Sequence, residues 1–472
     1  MQPEEKKSFF KKYKKEIIII TLAVLVFGLL VYFLFFNKKE NINTDTGNPN
    51  LPTFSFSNLF NNIFGGNNED NNNNTNEGEN GVVGDYYFEG LIKVWDRPVA
   101  GYGFYNKTYT YKYIDEESGE EKTGTDNKTI LQFVDSKTGY IYEKDLSEPL
   151  SLPVQVTDKS FPNTVRAYFM NDKNGGKGRV FIQYEENNNI KTITASIPEY
   201  FGSTANLLNI ASLPDNIKFI TTSPDSKKLL YIVTKNKTTN DFSDFYTDWY
   251  YINDINNTYG NKIYTSPLFY WKASLLNDGT IYPFTIPTYF ESNNLYKLSF
   301  SSSSLGVLKQ IYGNHNGMFF NINDNNILVS IMTGDGIKLY KKSFTDKSFT
   351  DYDLISLNFN TLGDKCAQYD SKVDTTIICS VPKTIKTYEY GLPDGWYQGM
   401  TSWDDNLYIV NDEYAFGQLL FDIHSDSDYQ DIIDGRNLNI NNLKTHLAFI
   451  NKNDGSLWTL NIINILNTEG GD

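Results

Sequence analysis

The stretch Asn451-Lys-Asn-Asp-Gly-Ser-Leu-Trp-Thr-Leu-Asn-Ile462 is a turn followed by a strand. Asp-Gly supplies the left-handed backbone that a tight hairpin needs, and the Trp-Thr-Leu-Asn-Ile run suits a pleated, half-buried surface. Related turns lie upstream at Asn171–Gly178, Ser223–Lys228, Leu276–Thr280, Asn323–Asn326 and Trp403–Asn406. They recur every 40–60 residues or so, the period of β-propeller blades.

The chain between these turns carries the same texture. Residues 129–146, 179–197 and 326–340 each read as strand, tight turn, strand, and 227–233 and 406–411 read as single strands. No amphipathic helix longer than three turns stands out from residue 85 onward, so this part is expected to be all-β. The span 85–472 has room for about seven blades of roughly 55 residues, within a range of six to eight. A lone four-stranded blade cannot cover both of its faces, whereas radial stacking covers them and ring closure removes free edges. Leu457–Ile465 and a strand from 86–104 are expected to share a blade and close the ring.

A different signal lies at the other end of the chain. Ile17 to Phe36 is a run of 20 uncharged, almost wholly apolar residues. At about 1.5 Å per residue such a helix spans the roughly 30 Å hydrocarbon core of a bilayer. Six Lys precede it within residues 1–16, whereas only Lys38 and Lys39 follow closely. That bias places the N-terminus in the cytoplasm and the long remainder outside a bacterial cytoplasmic membrane. The run exceeds a signal-peptide core and lacks a small-residue cleavage site, so it reads as an uncleaved, single-pass anchor. The expected domains are a basic tail (1–16), the transmembrane helix (17–36), an Asn-rich flexible linker (37–84) and an extracytoplasmic propeller (85–472). The linker composition cannot bury enough apolar surface to offset its ordering entropy. Within it, Phe56, Leu59, Phe60, Ile63 and Phe64 fall on one helical face.

Residues 1–40 hold eight Lys and four Glu, a net +4, so the remaining chain carries −19 of the total −15. Such an acidic exterior excludes nucleic acid as a partner, which needs a basic footprint. Cys366 and Cys379 both fall in the exported part, thirteen positions apart, and are expected to pair across a hairpin where oxidation is permitted.

At Ser223-Pro-Asp-Ser-Lys-Lys-Leu-Leu-Tyr231 the chain resembles the WD40-like repeats of TolB-type propellers, with Ser226 where that repeat has Gly. Further stretches resemble uncharacterised, membrane-anchored propeller proteins of candidate-phyla bacteria such as Parcubacteria. These are Arg97-Pro-Val-Ala-Gly101, Thr138–Glu143, the Cys366…Cys379-Ser-Val-Pro382 pair, Pro393–Gly399 and Phe449–Leu460. The resemblance covers most of 85–465. It implies fold and anchoring and says little about activity.

Catalytic signatures are sparse. No Ser-His-Asp, Cys-His or HExxH arrangement is visible. Asn451–Trp458 is similar to the Asp-box of sialidase propellers, but Asp454 sits one residue late, so a plain Asp-Gly hairpin is the expectation. A sialidase also needs an arginine triad, and the chain has only Arg97, Arg166, Arg179 and Arg436. Asp426, Asp428 and Asp431, near Asp422, are hard donors of the kind that hold Ca²⁺, but their spacing departs from the EF-hand loop. Solvated loop tips are expected there and at Asp115, Glu116, Glu117, Glu120 and Glu121, with no catalytic, cofactor or metal residue assigned. Trp249, Tyr250, Trp396 and Tyr397 combine aromatic faces with polar neighbours. They either form exposed platforms for sugars or peptides or pack between blades.

These observations point to a surface-displayed binding or scaffold module with a protein or glycan partner. A glycan hydrolase or lyase on the propeller, or a structural subunit of an envelope or pilus-type assembly, are the alternatives. Propellers host many activities, so fold alone does not choose.

Overall fold

The computed structural model describes residues 90–462, apart from 116–118, 173–175, 188, 199–203, 237–244, 255–256, 269, 302–303, 335, 344–353, 371–374, 386–390, 411–416 and 424–431. The expected anchor Ile17–Phe36, the linker and residues 463–472 lie outside the described residues. No helix among the described residues is long and apolar enough to cross a membrane.

Among the described residues, twenty-eight strands form seven four-stranded antiparallel sheets. Sheet 1 is β2 (Val99–Ile114), β3 (Glu121–Asp135), β4 (Ile141–Asp145) and β5 (Val154–Gln155). Sheet 2 is β6 (Thr164–Met170), β7 (Arg179–Glu186), β8 (Asn189–Ser196) and β9 (Leu208–Ser212). Sheet 3 comprises β10 (Ile217–Thr222), β11 (Leu229–Asn236), β12 (Phe245–Ile252) and β13 (Asn261–Ser266). Sheet 4 comprises β14 (Trp271–Leu275), β15 (Ile281–Thr285), β16 (Ser292–Ser301) and β17 (Ser304–Asn316). In sheet 5 are β18 (Phe319–Ile322), β19 (Asn326–Thr333), β20 (Gly336–Ser343) and β21 (Ile355–Ser356). In sheet 6 are β22 (Cys366–Asp370), β23 (Thr375–Pro382), β24 (Asp405–Val410) and β25 (Gln418–Phe421). Sheet 7 takes β26 (Gly435–Ile440), β27 (His446–Asn451) and β28 (Leu457–Asn461) from the end of this region and β1 (Leu91–Trp95) from its start.

Packing shows how the sheets are arranged. Each sheet shares an apolar cluster with the next. Val134 and Ile141 of sheet 1 meet Ala167 and Val180 of sheet 2. Phe181 meets Leu229 between sheets 2 and 3, and Trp249 meets Trp271 between 3 and 4. Phe284 meets Phe320, Leu328 meets Ile377, and Ile378 meets Leu447 at the next three junctions. A seventh cluster joins Ala448 and Leu457 of sheet 7 to Val99 and Phe133 of sheet 1. Seven sheets joined at seven successive junctions make a closed circle. The fold is a β-propeller of seven blades.

The expected closure is present. β1 pairs antiparallel with β28, with Leu91 opposite Leu460 and Trp95 opposite Leu457. Asn461 N–H donates to Gly90 O at 3.0 Å, and Val99 N–H to Gly455 O at 3.0 Å. Gly455 has φ +74°, and a Cβ there would meet Pro98 Cβ at 2.8 Å, so both turn and junction require glycine. Asp454 and Ser456 build the plain hairpin expected here: Asp454 Oδ1 accepts from Ser456 N–H at 2.9 Å, and Trp458 Nε1–H donates to Ser456 Oγ at 2.7 Å.

Ser226 occupies the glycine position of its repeat with φ +57°. A Cβ in that region costs about 1 kcal/mol. Ser226→Gly should therefore raise the unfolding free energy by up to about 1 kcal/mol, offset in part by greater freedom of the unfolded chain. A lowered denaturation midpoint would show that the turn tolerates serine without strain.

Cys366 and Cys379 are bonded and face each other in register across β22 and β23. Both are buried between sheets 5 and 6. For a loop of this size, replacing both by Ala should cost roughly 2–3 kcal/mol. Chemical denaturation of the double variant measures it, and an unchanged midpoint would count against a stabilising bond.

Candidate functional site at one mouth of the axial channel

The first strand of each sheet lies nearest the axis: β2 meets β6, β6 meets β10, β10 meets β14, β14 meets β18 and β22 meets β26. All seven run in the same sense, so their N-terminal ends gather at one mouth. Four of these ends carry a basic residue: Arg166 on β6, Lys218 on β10, Lys272 on β14 and Arg436 on β26. Arg166 Nη1 donates to Lys218 O of the neighbouring sheet at 3.4 Å, an exposed contact.

Sheet 6 adds the remaining groups. A single 3-10 turn, Gly363–Lys365, precedes β22 and packs against β18 and β26. It places Asp364 at 4.0 Å from Lys272, two sheets away. Lys272 Nζ also lies 4.6 Å from the ring centre of Phe319 and 4.7 Å from that of Tyr397. The connection from β23 to β24 ends at the same mouth. Its one-turn helix α1 (Asp394–Tyr397) is held by Asp394 Oδ2, which accepts from Tyr289 N–H at 2.7 Å.

The electrostatics follow from crowding. Burial pushes Lys272 below its ordinary value, and Asp364 opposes that shift while Arg166 adds to it. Burial raises Asp364, against the pull of Lys272. Tyr397 is lifted well above the usual phenol value by burial, with Asp364 adding. Burial lowers Arg436, opposed by Asp434 and Asp364 and reinforced by the like charge of Arg166. Groups from sheets 2, 4, 6 and 7 influence one another in this way because they face a common axis. Lys272 and Asp364 side chains are 27% and 21% exposed, so protein surrounds them but water reaches them. Arg436 Nε, Asp364 Oδ1 and Tyr397 OH are buried atoms that make no well-formed hydrogen bond. Neither Arg166, Lys218 nor Arg436 has a carboxylate within ion-pair distance among the described residues.

Beneath the mouth lies a fully buried ionic knot. Lys365 Nζ reaches Asp405 Oδ2 at 2.7 Å and Asp434 Oδ1 at 2.5 Å, and all three side chains are fully buried. Asp405 Oδ2 also accepts from Ser380 Oγ and Gly435 N–H, and Asp434 Oδ2 from Trp396 Nε1–H and Trp403 N–H. This knot ties the mouth loop to sheets 6 and 7.

The aromatic residues singled out in the sequence divide. Trp249 is fully buried between sheets 3 and 4, edge-on to Trp271 at 5.4 Å, so the exposed-platform reading is corrected to blade packing. The same correction holds for Trp396, which is 3% exposed and bonded to Asp434. Tyr250 is half-buried and stacks on Tyr231 at 5.0 Å. Tyr397 alone of the four stands at the mouth. Cys366 and Cys379 serve the core. Among the described residues no group of three or more His, Cys, Asp or Glu is placed to hold a metal, and Asp426, Asp428 and Asp431 lie outside them. Arg97 and Arg179 are structural: Arg97 Nε lies 3.3 Å from Asp135, and Arg179 Nε–H donates to Thr194 Oγ1 at 3.2 Å.

No family profile matches the sequence, and no curated protein is similar to it. Among solved structures, the chain is similar to an oligogalacturonate lyase from Vibrio parahaemolyticus at 10% identity, with 79% of this chain and 98% of that one covered and a TM-score of 0.44. It is similar to the β-propeller domain of the Trilobed protease from Pyrococcus furiosus at 10% identity, over 77% and 93% of the two chains, with a TM-score of 0.41. TolB from Acinetobacter baumannii matches at 14% identity over 50% and 57%, with a TM-score of 0.29. The propeller assignment rests on this chain's own closed circle of sheets.

Proposed function

We propose that the chain is a membrane-anchored propeller, displayed outside a bacterial cytoplasmic membrane, that binds its partner at the axial mouth without transforming it. The observation that carries this reading is the convergence of charged and aromatic side chains from four separate sheets on that mouth. The apolar run Ile17–Phe36 supports the anchoring, and the Asn-rich stretch after it suits a tether.

A hydrolytic reading has one observation in its favour, since Lys272, Asp364 and Tyr397 have displaced proton affinities in one place. Glycoside hydrolysis by paired acids needs two carboxylates about 5–10 Å apart that both face substrate. Asp405 and Asp434 are fully buried and tied to Lys365, and Asp394 is engaged with Tyr289 N–H, which leaves Asp364 as the acid beside the cations among the described residues. The arrangement therefore favours binding.

Photo-crosslinking in intact cells tests this. A crosslinker at Asn216, exposed beside the mouth, should capture a partner that a crosslinker at Leu150, on an exposed turn at the opposite end, does not. Capture from Leu150 alone, or from neither position, would overturn the assignment of the mouth.

A further inference from the structure

We infer that the axial mouth is an oxyanion site: Arg166, Lys218, Lys272 and Arg436 form a cationic collar that takes a carboxylate or phosphate group of the ligand. This rests on the mouth being the binding face and adds the chemistry of what it binds.

The collar runs against the character of the whole chain. The net charge is −15, and the chain holds only four arginines. Two of those are consumed in the packing of blades 1 and 2, and the other two meet at the axis. Chance placement on an acidic surface would surround each cation with carboxylates, as happens to Lys128, which bonds Asp145 and Glu148. At the mouth the balance is reversed among the described residues: four cations gather beside Asp364, and the other carboxylate named there, Asp394, is taken up by Tyr289 N–H.

The local polar atoms are also incomplete. Arg436 Nε–H is buried without an acceptor. Leaving a cation in a partly desolvated place is costly unless an anion joins it. Arg166 and Arg436 belong to sheets 2 and 7, flanking sheet 1, so their planar forks approach the mouth from separated directions. Guanidinium forks suit two-oxygen groups, and the Lys218 and Lys272 ammoniums add charge without demanding geometry. Lys272 lies against the rings of both Phe319 and Tyr397, which limits its wandering. With a net charge of −15 the chain as a whole repels a long polyanion, so the group that enters is the end or side group of a ligand.

Asp364 gives the inference an unusual sign. It stands 4.0 Å from Lys272 and so competes with an incoming anion for the same cation. Removing its charge should tighten binding.

The experiment is calorimetric titration of the full-length chain in a neutral detergent, with inorganic phosphate, an oligouronide and a neutral oligosaccharide as probes. The oxyanion probes should bind and the neutral one should not, and the affinity should fall as salt rises. Binding of the oligouronide alone assigns an acidic sugar, and of phosphate alone a phosphorylated ligand; either supports the site. Arg436→Gln should weaken binding at least tenfold and Arg166→Gln similarly, while Asp364→Asn should strengthen it severalfold, each with an unchanged melting temperature. Failure of both oxyanion probes to bind overturns the inference. So does unchanged affinity in Arg436→Gln and Arg166→Gln, or weaker binding in Asp364→Asn. If Asn216 still captures a partner while both oxyanion probes fail, the mouth stands and only its chemistry is wrong.

Discussion

Lys365→Ala should lower the unfolding free energy by about 3–5 kcal/mol. The reason is what the substitution leaves behind. Asp405 and Asp434 stay fully buried, and each loses its cation at 2.7 and 2.5 Å. Asp405 already has an Oδ1 without a partner, so its charge rests on one oxygen and the lysine. Burial pulls the Lys365 ammonium down, but the two aspartates outweigh burial and lift it. Burial also pushes Asp405 up to about 6, against the pull of Lys365.

The sign of the pH dependence follows. A carboxylate whose folded-state value is raised contributes stability that is complete below its unfolded value of about 3.9 and is lost as pH rises through the folded value. Without Lys365 the Asp405 carboxyl rises further, so the variant's deficit should be greatest near pH 8 and shrink toward pH 5. Urea denaturation of wild type and variant at both pH values measures this. A deficit that is equal at the two, or greater at pH 5, would mean the knot is not held by charge. Lys365→Met separates packing from charge, since it restores the chain volume without the ammonium and should recover little.

Trp458→Ala should cost about 3–5 kcal/mol by the usual penalty for emptying a buried aromatic site. Trp458 is fully buried in β28, parallel to Phe449 at 6.5 Å, and carries Lys93 of β1 over its ring at 5.0 Å. Its ring therefore serves the sheet 6–7 cluster and the clasp together. Losing it should also speed exchange of the β1 amides more than those of β11 or β19. Hydrogen exchange by mass spectrometry reads that difference. Uniform acceleration across all seven sheets would show that the clasp is no weaker than the rest.

The sequence made the blades legible because each one repeats the same local chemistry. Asp-Gly and Asn-rich turns flank aromatic and β-branched runs, and both are short-range signals. The pairing of Leu457–Asn461 with Leu91–Trp95 was legible for the related reason that a circle needs a clasp. Cys366 and Cys379 were readable from their spacing together with the expected export of this part of the chain. The mouth was not readable. Arg166, Lys218, Lys272, Asp364 and Arg436 belong to five different sheets, and only the closure of the ring brings them to one axis. The scarcity of arginine was visible from the start, and the two arginines that do not pack blades are those at the mouth. Trp249 and Trp396 stayed open between two readings because a tryptophan beside tyrosines and aspartates reads alike in a binding platform and in a blade junction. What separates the two is burial, which no local spacing encodes.

The clasp strand also determines where tension would enter the molecule. β1 begins at Leu91 and touches its sheet only through β28, so any pull on the chain ahead of Gly90 arrives first at that single ladder. Antiparallel pairing sets Leu91 opposite Leu460 at the far end of β28. A load directed along the strands would strain the rungs together, whereas one directed outward would unzip them from Leu91 onward. The same clasp is thus strong or weak according to the angle of the pull.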